Sequence, residues 1–318
     1  MIPLHMSLST ADLRKALQGV IGFPVTPFRN DLSVDLDALR QNVRAMLDHP
    51  LAAMVAAGGT GELYSLTPRE HLDVVRVVVE EAGEKIPVIA GTGFNPALGT
   101  ELATQAAAAG ASGILAFPPY YPGAEEEGLV KYYAALGAAT SLGLLIYSRD
   151  WFHPGAATVE RLAAAIPNLI AWKDGQGDIR RLQMIKERLG DRLHWIGGAG
   201  DDMVPAYYAI GIRAFTSSIA NVSPQLALQL HDAGSRGDAA RLQRMMTDFV
   251  VPLYAMRARR KGHEVTVMKE LMTMLGLAGG AVRPPLVPLR PEEIDELKLT
   301  VPLWQKVAAV PKTAKTGV

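Results

Sequence analysis

Eight short apolar segments recur along the chain, separated by stretches that place apolar residues at every third or fourth position. The spacing within the separating stretches is typical of amphipathic helices and is clearest at residues 35–47, 68–83, 96–109 and 178–189. Short buried strands that alternate with helices form parallel sheets. Eight such units are what a closed barrel needs, so the sequence predicts an α/β fold, a (β/α)₈ TIM barrel. The short segments cover residues 20–25, 52–57, 87–90, 113–117, 143–147, 169–172, 193–196 and 213–216.

The main alternative is an open, doubly wound sheet, which carries a glycine-rich turn after its first strand. Residues 22–27 read Gly-Phe-Pro-Val-Thr-Pro and do not match that pattern. After the last apolar segment, helical spacing covers residues 226–233, 238–260, 265–275 and 291–307. We therefore expect a leading helix at 1–18, a barrel core at 19–224, the eighth barrel helix with a C-terminal helical extension at 225–310, and a loose tail at 311–318.

The composition excludes several classes of function. The 318 residues include 32 Lys and Arg against 32 Asp and Glu, so the chain lacks the basic excess that nucleic-acid binding requires. It contains no cysteine, which excludes disulfides and thiolate metal sites, and its histidines lack the spacing of a metal site. We expect no metal and no cofactor. No apolar run reaches about 18 residues and residues 1–6 do not resemble a secretory signal, so we expect a cytoplasmic protein without a membrane partner.

Lys173 stands at the carboxyl end of the sixth apolar segment, which is the end where a TIM barrel places its active site. Burial disfavours a charged ammonium, so a lysine in this position tends to have a lowered pKa. A neutral lysine amine can attack a carbonyl carbon and form a Schiff base. The alternative is a structural lysine that extends to water or pairs with Asp174.

Two other strand ends carry residues suited to binding a keto acid. Residues 58–62, Gly-Gly-Thr-Gly-Glu, follow the second segment, and successive N–H groups in such a turn can bind a carboxylate or a phosphate. Tyr147 ends the fifth segment and could relay a proton near Lys173, although a lone tyrosine there can also be structural. Arg149 could hold a second carboxylate, or it could pair with Asp150.

The last two strand ends leave a further alternative open. Residues 197–202 are rich in glycine and residues 217–218 are serines, and TIM barrels often bind phosphate after the seventh and eighth strands. These ends add Gly200, Thr216 and Ser217 as candidate substrate contacts. The one basic run, residues 257–261, lies on a helical pattern, where we expect a solvated face or a surface that pairs with another helix.

Several of these segments resemble those of the class I aldolase and dehydratase family that contains dihydrodipicolinate synthase and N-acetylneuraminate lyase. They occur in the family's order and with its spacing, over nearly the whole chain. The resemblance implies a Schiff-base lyase on a TIM barrel that acts on a small-molecule keto acid without a cofactor and assembles as a dimer or tetramer. The matching segments are residues 22–28, 58–62, 65–67, 87–93, 118–121, 147 and 173–174.

Carried over residue by residue, the resemblance implies Lys173 as the Schiff-base lysine and Tyr147 as the proton relay. It implies that Gly59 and Thr60 bind the carboxylate of the keto acid, with Thr60 among the catalytic residues. Tyr121 is implied to reach the site of a neighbouring subunit.

Within the family, residues 147–150, 173–178 and 257–269 are most similar to the branch that dehydrates and decarboxylates 5-dehydro-4-deoxy-D-glucarate to 2,5-dioxopentanoate. That activity is the function we expect. A class I aldolase or synthase acting on pyruvate or on a 2-keto-3-deoxy sugar acid is the alternative, since it would use the same lysine. A binding protein without turnover, on the same barrel, is a third interpretation.

Overall fold

A computed structural model describes residues 8–308 of the chain. Eight parallel strands form a closed barrel in sequence order, and the first strand pairs with both the second and the eighth. The predicted barrel is therefore confirmed, with one strand at each of the eight predicted segments. The strands are β1 (Gly19–Gly22), β2 (Ala53–Ala56), β3 (Val88–Phe94), β4 (Gly113–Pro119), β5 (Gly143–Ser148), β6 (Leu169–Asp174), β7 (His194–Gly197) and β8 (Ala214–Ser217).

Helices follow the strands in alternation and continue after the barrel. They are α1 (Thr10–Ala16), α2 (Leu36–Leu47), α3 (Pro68–Ala82), α4 (Pro96–Ala108), α5 (Glu126–Ala138), α6 (Ala156–Ala165), α7 (Ile179–Leu189), α8 (Val204–Ala209), α9 (Pro224–Arg236), α10 (Ala239–Met245), α11 (Val251–Arg257), α12 (His263–Met274), α13 (Pro291–Lys298) and α14 (Val301–Ala308).

Helix α3 shows how the local sequence sets these elements. Its N-cap Thr67 accepts a hydrogen bond from the N–H of Glu70, and the Glu70 carboxylate accepts one from the N–H of Thr67. Pro68 occupies the first turn, where its missing N–H is not needed, and Gly83 ends the helix at a φ of 52°. The predicted bounds of this helix, 68–83, differ from the observed ones by a single residue.

Helix α1 closes the amino-terminal end of the barrel. Leu13 and Leu17 are fully buried and belong to the apolar cluster inside the barrel. Space for Leu13 exists because β4 and β5 begin with glycines: a Cβ on Gly113 would lie 2.8 Å from Leu13 Cδ2, and one on Gly143 would lie 3.1 Å from it. With this end filled, the carboxyl end of the barrel is left for a ligand.

Two helices predicted as continuous are interrupted, in each case next to a proline. The predicted helix at 238–260 contains a π-helical turn at Met246–Val250 just before Pro252, and it ends at Arg257. The predicted helix at 291–307 breaks after Lys298, four residues before Pro302. Proline lacks an N–H, and its ring clashes with the carbonyl four residues earlier, so neither helix can pass through unchanged.

The two ends of the chain give a partial test of the predicted boundaries. Within the predicted leading helix at 1–18, the described part is helical at Thr10–Ala16, while residues 1–7 lie outside the described residues. The predicted loose tail at 311–318 also lies outside them. None of the helices in the part of the chain from residue 8 to residue 308 is long and apolar enough to cross a membrane.

Candidate active site

A cleft of about 640 Å³ lies at the carboxyl ends of the strands, opposite α1. The closed barrel brings together residues that are far apart in sequence, because each strand delivers its last residues to the same rim. Of the site residues predicted from sequence, all but Tyr121 line this cleft. They are Gly59, Thr60, Tyr147, Arg149, Lys173, Gly200, Thr216 and Ser217.

Lys173 lies on β6 with only 3% of its surface exposed. Its Nζ donates a hydrogen bond to the carbonyl of Gly198 at 3.1 Å and lies 3.1 Å from the centre of the Tyr147 ring. Burial, reinforced by the positive charge of Arg149, holds the pKa of the Lys173 amine well below its usual range. The amine is therefore able to lose its proton and act as a nucleophile at much lower pH than an exposed lysine.

The structural alternatives for Lys173 do not hold. The side chain does not extend to water, and none of the ion pairs among residues 8–308 joins Lys173 to Asp174. Successive side chains on a strand point to opposite faces, so Asp174 faces away from the barrel interior. There it accepts hydrogen bonds from Tyr207 Oη at 2.7 Å and from the N–H groups of Gln176 and Gly177 at 3.2 and 3.1 Å. The alternative in which Lys173 pairs with Asp174 was therefore wrong.

Gly198, the residue after β7, makes room for the lysine. A Cβ built on Gly198 would lie 2.6 Å from both Cγ and Nζ of Lys173, closer than carbon and nitrogen atoms can approach. In sequence this glycine belonged to a loop that suggested phosphate binding. The structure gives it a steric role next to the amine instead.

Tyr147 on β5 reaches the same carbonyl as the lysine. Its Oη donates a hydrogen bond to the Gly198 carbonyl at 3.3 Å, and its ring packs edge-on against Phe117 with centroids 5.3 Å apart. Burial raises the pKa of the Tyr147 phenol above its usual range. The phenol therefore keeps its proton at neutral pH, and the amine lies against its ring.

Gly59, Thr60 and Arg149 all line the cleft, and Arg149 lies against the glycine turn. A Cβ on Gly59 would lie 3.0 Å from Arg149 Nη1, so the arginine head stands directly over the glycine turn. The N–H groups of Gly59 and Thr60 take part in none of the hydrogen bonds among residues 8–308. Arg149 also pairs through Nε with Asp150 at 2.7 Å, while its Nη1 lies against the turn. Both predicted contacts of Arg149, with Asp150 and with a ligand carboxylate, are thus compatible.

Glu62, the last residue of this turn, points away from the cleft. It is fully buried, adopts a φ of 55°, and pairs through Oε1 with Lys269 Nζ at 2.5 Å. The pair ties the turn after β2 to helix α12.

The hydrogen-bond donors that follow β8 are directed at the carboxylate of Asp201. Ser217 Oγ donates to Asp201 Oδ1 at 2.5 Å, and the N–H groups of Ser218 and Ile219 point at Oδ2, at 3.2 and 3.4 Å. Asp201 is fully buried. These are the groups that a phosphate would need, so the phosphate-binding alternative loses its donors. The Ser217 hydroxyl is engaged with the protein, and Thr216 Oγ1 donates to the Gly197 carbonyl at 3.4 Å.

Tyr121 is the predicted site residue that the structure does not bring to the cleft of its own chain. It follows β4 with 74% of its surface exposed, beside Tyr120 at 85%. An exposed position is compatible with reaching a neighbouring subunit, and that role stays a prediction.

One wall of the cleft was not predicted. It consists of Tyr254 and Arg257 on α11, Glu264 on α12, and the loop at 258–262 between these helices. Part of the expectation for the basic run is confirmed, because Arg259 pairs with Glu296 and Arg260 pairs with Glu293 on α13. The similarity of residues 257–269 to one branch of the family was the available signal that this segment also borders the site.

Comparison with known proteins agrees with this geometry. The model of the family described as "Dihydrodipicolinate synthetase family" matches residues 16–302. A protein of Saccharopolyspora erythraea named "Probable 5-dehydro-4-deoxyglucarate dehydratase" is 41% identical over 304 residues, 95% of this chain and 96% of that protein. One of the same name from Bradyrhizobium diazoefficiens is 39% identical over 285 residues, 89% of this chain and 91% of that protein.

The fold comparison gives the same answer. The crystal structure of dihydrodipicolinate synthase from Bacillus clausii superimposes with a TM-score of 0.87 at 29% identity, over 92% of this chain and 99% of that one. The resemblance read from the sequence is confirmed: the chain belongs to the dihydrodipicolinate synthetase family.

Proposed function

We propose that this chain is a Schiff-base-forming lyase that dehydrates and decarboxylates 5-dehydro-4-deoxy-D-glucarate to 2,5-dioxopentanoate. The observation that carries the proposal is the buried amine of Lys173, which has a lowered pKa, faces a ligand-sized cleft and lacks a carboxylate partner among residues 8–308. The relatives from S. erythraea and B. diazoefficiens are named for this activity, and they support the choice of substrate.

The first step is condensation of the amine with the substrate ketone. Counted from its keto end, the substrate has a carboxylate at C1, the ketone at C2, a methylene at C3, hydroxyls on C4 and C5, and a second carboxylate at C6. Lys173 attacks C2, water leaves, and the resulting iminium withdraws electrons from C3. Arg149 with the N–H groups of Gly59 and Thr60 holds the C1 carboxylate, which orients the ketone toward Nζ.

Loss of the C4 hydroxyl follows. A proton leaves C3, the electron pair forms the C3–C4 double bond, and the hydroxyl leaves C4 as water after taking up a proton. Tyr147 lies against the amine and supplies or relays this proton. Thr60 is the second candidate for the relay, because its hydroxyl takes part in none of the hydrogen bonds among residues 8–308.

Decarboxylation then needs no further electron acceptor. The C3–C4 double bond conjugates C5 with the iminium, so the pair from the breaking C5–C6 bond moves through C4 and C3 to nitrogen as carbon dioxide leaves. The resulting dienamine takes up a proton at C4, which converts the C5 enol to the aldehyde, and a proton at C3, which restores the iminium. Hydrolysis of the Schiff base releases 2,5-dioxopentanoate and restores Lys173.

The test combines adduct trapping with a measurement of products. Borohydride added during turnover should fix the substrate to the peptide that contains Lys173, as seen by mass spectrometry, and one carbon dioxide should form for each 2,5-dioxopentanoate. Lys173→Ala should give neither adduct nor product. Trapping that persists in Lys173→Ala would refute the assignment of the amine. Release of pyruvate without carbon dioxide would favour the aldolase alternative, and ligand binding without any product would favour the binding protein.

A cytoplasmic location and assembly into a dimer or tetramer accompany this proposal. In such an assembly Tyr121 would reach the site of a neighbouring subunit, a role that its exposed position permits. Light scattering of the purified protein would measure the assembly, and cell fractionation would measure the location.

A further inference from the structure

We propose that Arg257 and Lys261, on the wall between α11 and α12, form a second anion site that binds the far carboxylate of a dicarboxylic keto acid. This inference rests on the proposed function and names the residues that would select a dicarboxylate over a monocarboxylate.

Arg149 and the glycine turn after β2 border the same part of the cleft near the amine. Arg149 Nη1 lies 3.0 Å from the position of a Cβ on Gly59, so one carboxylate could contact both the arginine and the turn. The sequence had suggested separate carboxylates for Arg149 and for the Gly59–Thr60 pair. If both hold the near carboxylate, as the proposed function has it, the other end of a dicarboxylate meets its cation elsewhere on the cleft.

Arg257 offers that cation. The side chain is 91% buried and lines the cleft that also contains Lys173. Its Nε donates to the Glu264 carbonyl at 3.1 Å, and its Cζ lies 4.3 Å from the centre of the Tyr254 ring. These contacts fix the plane of the guanidinium. Its Nη1 is buried and has no hydrogen-bond partner among residues 8–308, which is unusual for a guanidinium because an unpaired buried donor is costly. A carboxylate in the cleft would contact the part of the guanidinium that the cleft exposes, because Nη1 itself has almost no accessible surface.

The other cations of the same run divide into paired and unpaired groups. Arg259 and Arg260 are held by Glu296 and Glu293 on α13. Lys261 is exposed, lines the cleft, and forms none of the ion pairs found among residues 8–308. A carboxylate that reaches this wall therefore meets Arg257 and Lys261 as the cations still able to bind it.

Glu264 is the acidic group on the same wall. Its Oε2 accepts a hydrogen bond from the N–H of Gly262 at 2.9 Å, so it stabilises the loop that presents Lys261. Its charge weakens the grip on an incoming carboxylate. That repulsion disappears when the carboxylate leaves as neutral carbon dioxide, so a moderate grip at this position suits a decarboxylation.

Two six-carbon acids test the inference without requiring dehydration. 2-Oxoadipate carries a carboxylate at the far end, and 2-oxohexanoate has the same chain length without it; neither has a hydroxyl to lose. The measurement is the concentration of each acid that gives half-maximal borohydride trapping. Wild-type protein should trap 2-oxoadipate at a concentration at least about tenfold lower, the effect of one charge-assisted contact.

Variants then assign the preference to residues. Lys261→Gln and Arg257→Lys should each reduce the preference for 2-oxoadipate severalfold while leaving 2-oxohexanoate unchanged. Arg259→Gln is the matched control: it removes a positive charge from the same loop at a residue already paired with Glu296, and the preference should stay as in wild type. Because Lys261 is exposed, its variant remains informative even if Arg257→Lys does not fold.

The contrary outcomes separate the two proposals. Equal half-saturation for the two acids in wild type, or an unchanged preference in Lys261→Gln and folded Arg257→Lys, would overturn the second anion site alone. A parallel loss of trapping for both acids would also overturn it, since that pattern indicates a general structural role. Failure of wild type to trap either acid would overturn the Schiff-base chemistry. The thermal stabilisation by each acid would then still report the preference for the far carboxylate, without a covalent step.

Discussion

The ionisable amine of Lys173 is almost fully buried at the bottom of the cleft. The free energy of unfolding reflects this, because the amine has a lowered pKa when folded and an ordinary one, about 10.4, when unfolded. Between those two values the unfolded chain binds the additional proton, so stability rises with pH across that window and is reduced below it. Each unit of pKa lowering corresponds to about 1.4 kcal/mol.

Lys173→Met should therefore be more stable than wild type at pH 7, although it cannot form an adduct. The gain should exceed the loss of the hydrogen bond to Gly198, which is worth about 1 kcal/mol, and it should shrink toward pH 10.5, where the unfolded lysine also loses its proton. Thermal unfolding of both proteins at the two pH values measures this. A Met variant that is less stable at pH 7 would mean that the amine is not destabilising in the folded state.

Gly198→Ala should abolish most of the chemistry, and because the new Cβ would also lie 2.7 Å from the Asp174 carbonyl oxygen, circular dichroism should first establish that the variant folds. The new Cβ would lie 2.6 Å from Nζ, so the amine must leave its position, and displacements of about 1 Å can cost roughly a hundredfold in rate. Borohydride trapping rates measure the effect. The control is Gly128→Ala on α5, where nothing lies within 4 Å of the new Cβ; it should trap at the wild-type rate. Equal trapping by both variants would show that the tight contact at Gly198 does not position the lysine.

At the scale of elements, a buried ion pair fastens the turn after β2 to helix α12, in addition to the turn's own backbone hydrogen bonds. Glu62 and Lys269 are both almost fully buried, and Lys269 Nζ also donates to the Ala281 carbonyl at 2.7 Å. Helix α12 therefore fixes the turn that presents Gly59. The pair explains why a carboxylate directly after an anion-binding turn does not repel the ligand.

Lys269→Met should destabilise the protein by about 3–5 kcal/mol, because it leaves the Glu62 carboxylate buried without its partner. Adding Glu62→Gln removes that charge and should recover part of the loss. Midpoints of thermal unfolding for wild type, both single variants and the double variant give the coupling energy. Additive effects of the two substitutions would contradict the pairing.

Local sequence patterns predicted most of the strands and helices, but not how distant elements contact one another. The eight strands and the helix at 68–83 were predictable because apolar spacing and capping are local signals. The interruptions at Pro252 and Pro302 were also visible in the sequence, but helical spacing continues on both sides of each proline and obscured them. The orientation of Glu62 was not predictable, because its partner Lys269 lies on a helix that follows the whole barrel.

At the scale of the whole molecule, the candidate site divides into a predictable half and an unpredictable one. A closed parallel barrel brings every strand end to one rim, so Gly59, Tyr147 and Lys173 could be placed together from strand order alone. Arg257 and Lys261 could not, because they come from the end of α11 and from the loop before α12, which pack across that rim after the barrel is complete. Their position depends on tertiary packing, which single-sequence patterns do not encode.

The carboxylate of Asp201 affects which small molecules can bind at the rim after β8. Cells contain many phosphorylated acids, and many TIM-barrel enzymes bind a phosphate group at the rim after the seventh and eighth strands. Here the chain's own carboxylate, that of Asp201, occupies this position and accepts hydrogen bonds from Ser217 and from the N–H groups that follow it. We therefore expect the folded chain to disfavour phosphate esters at this position, because its donors are already occupied.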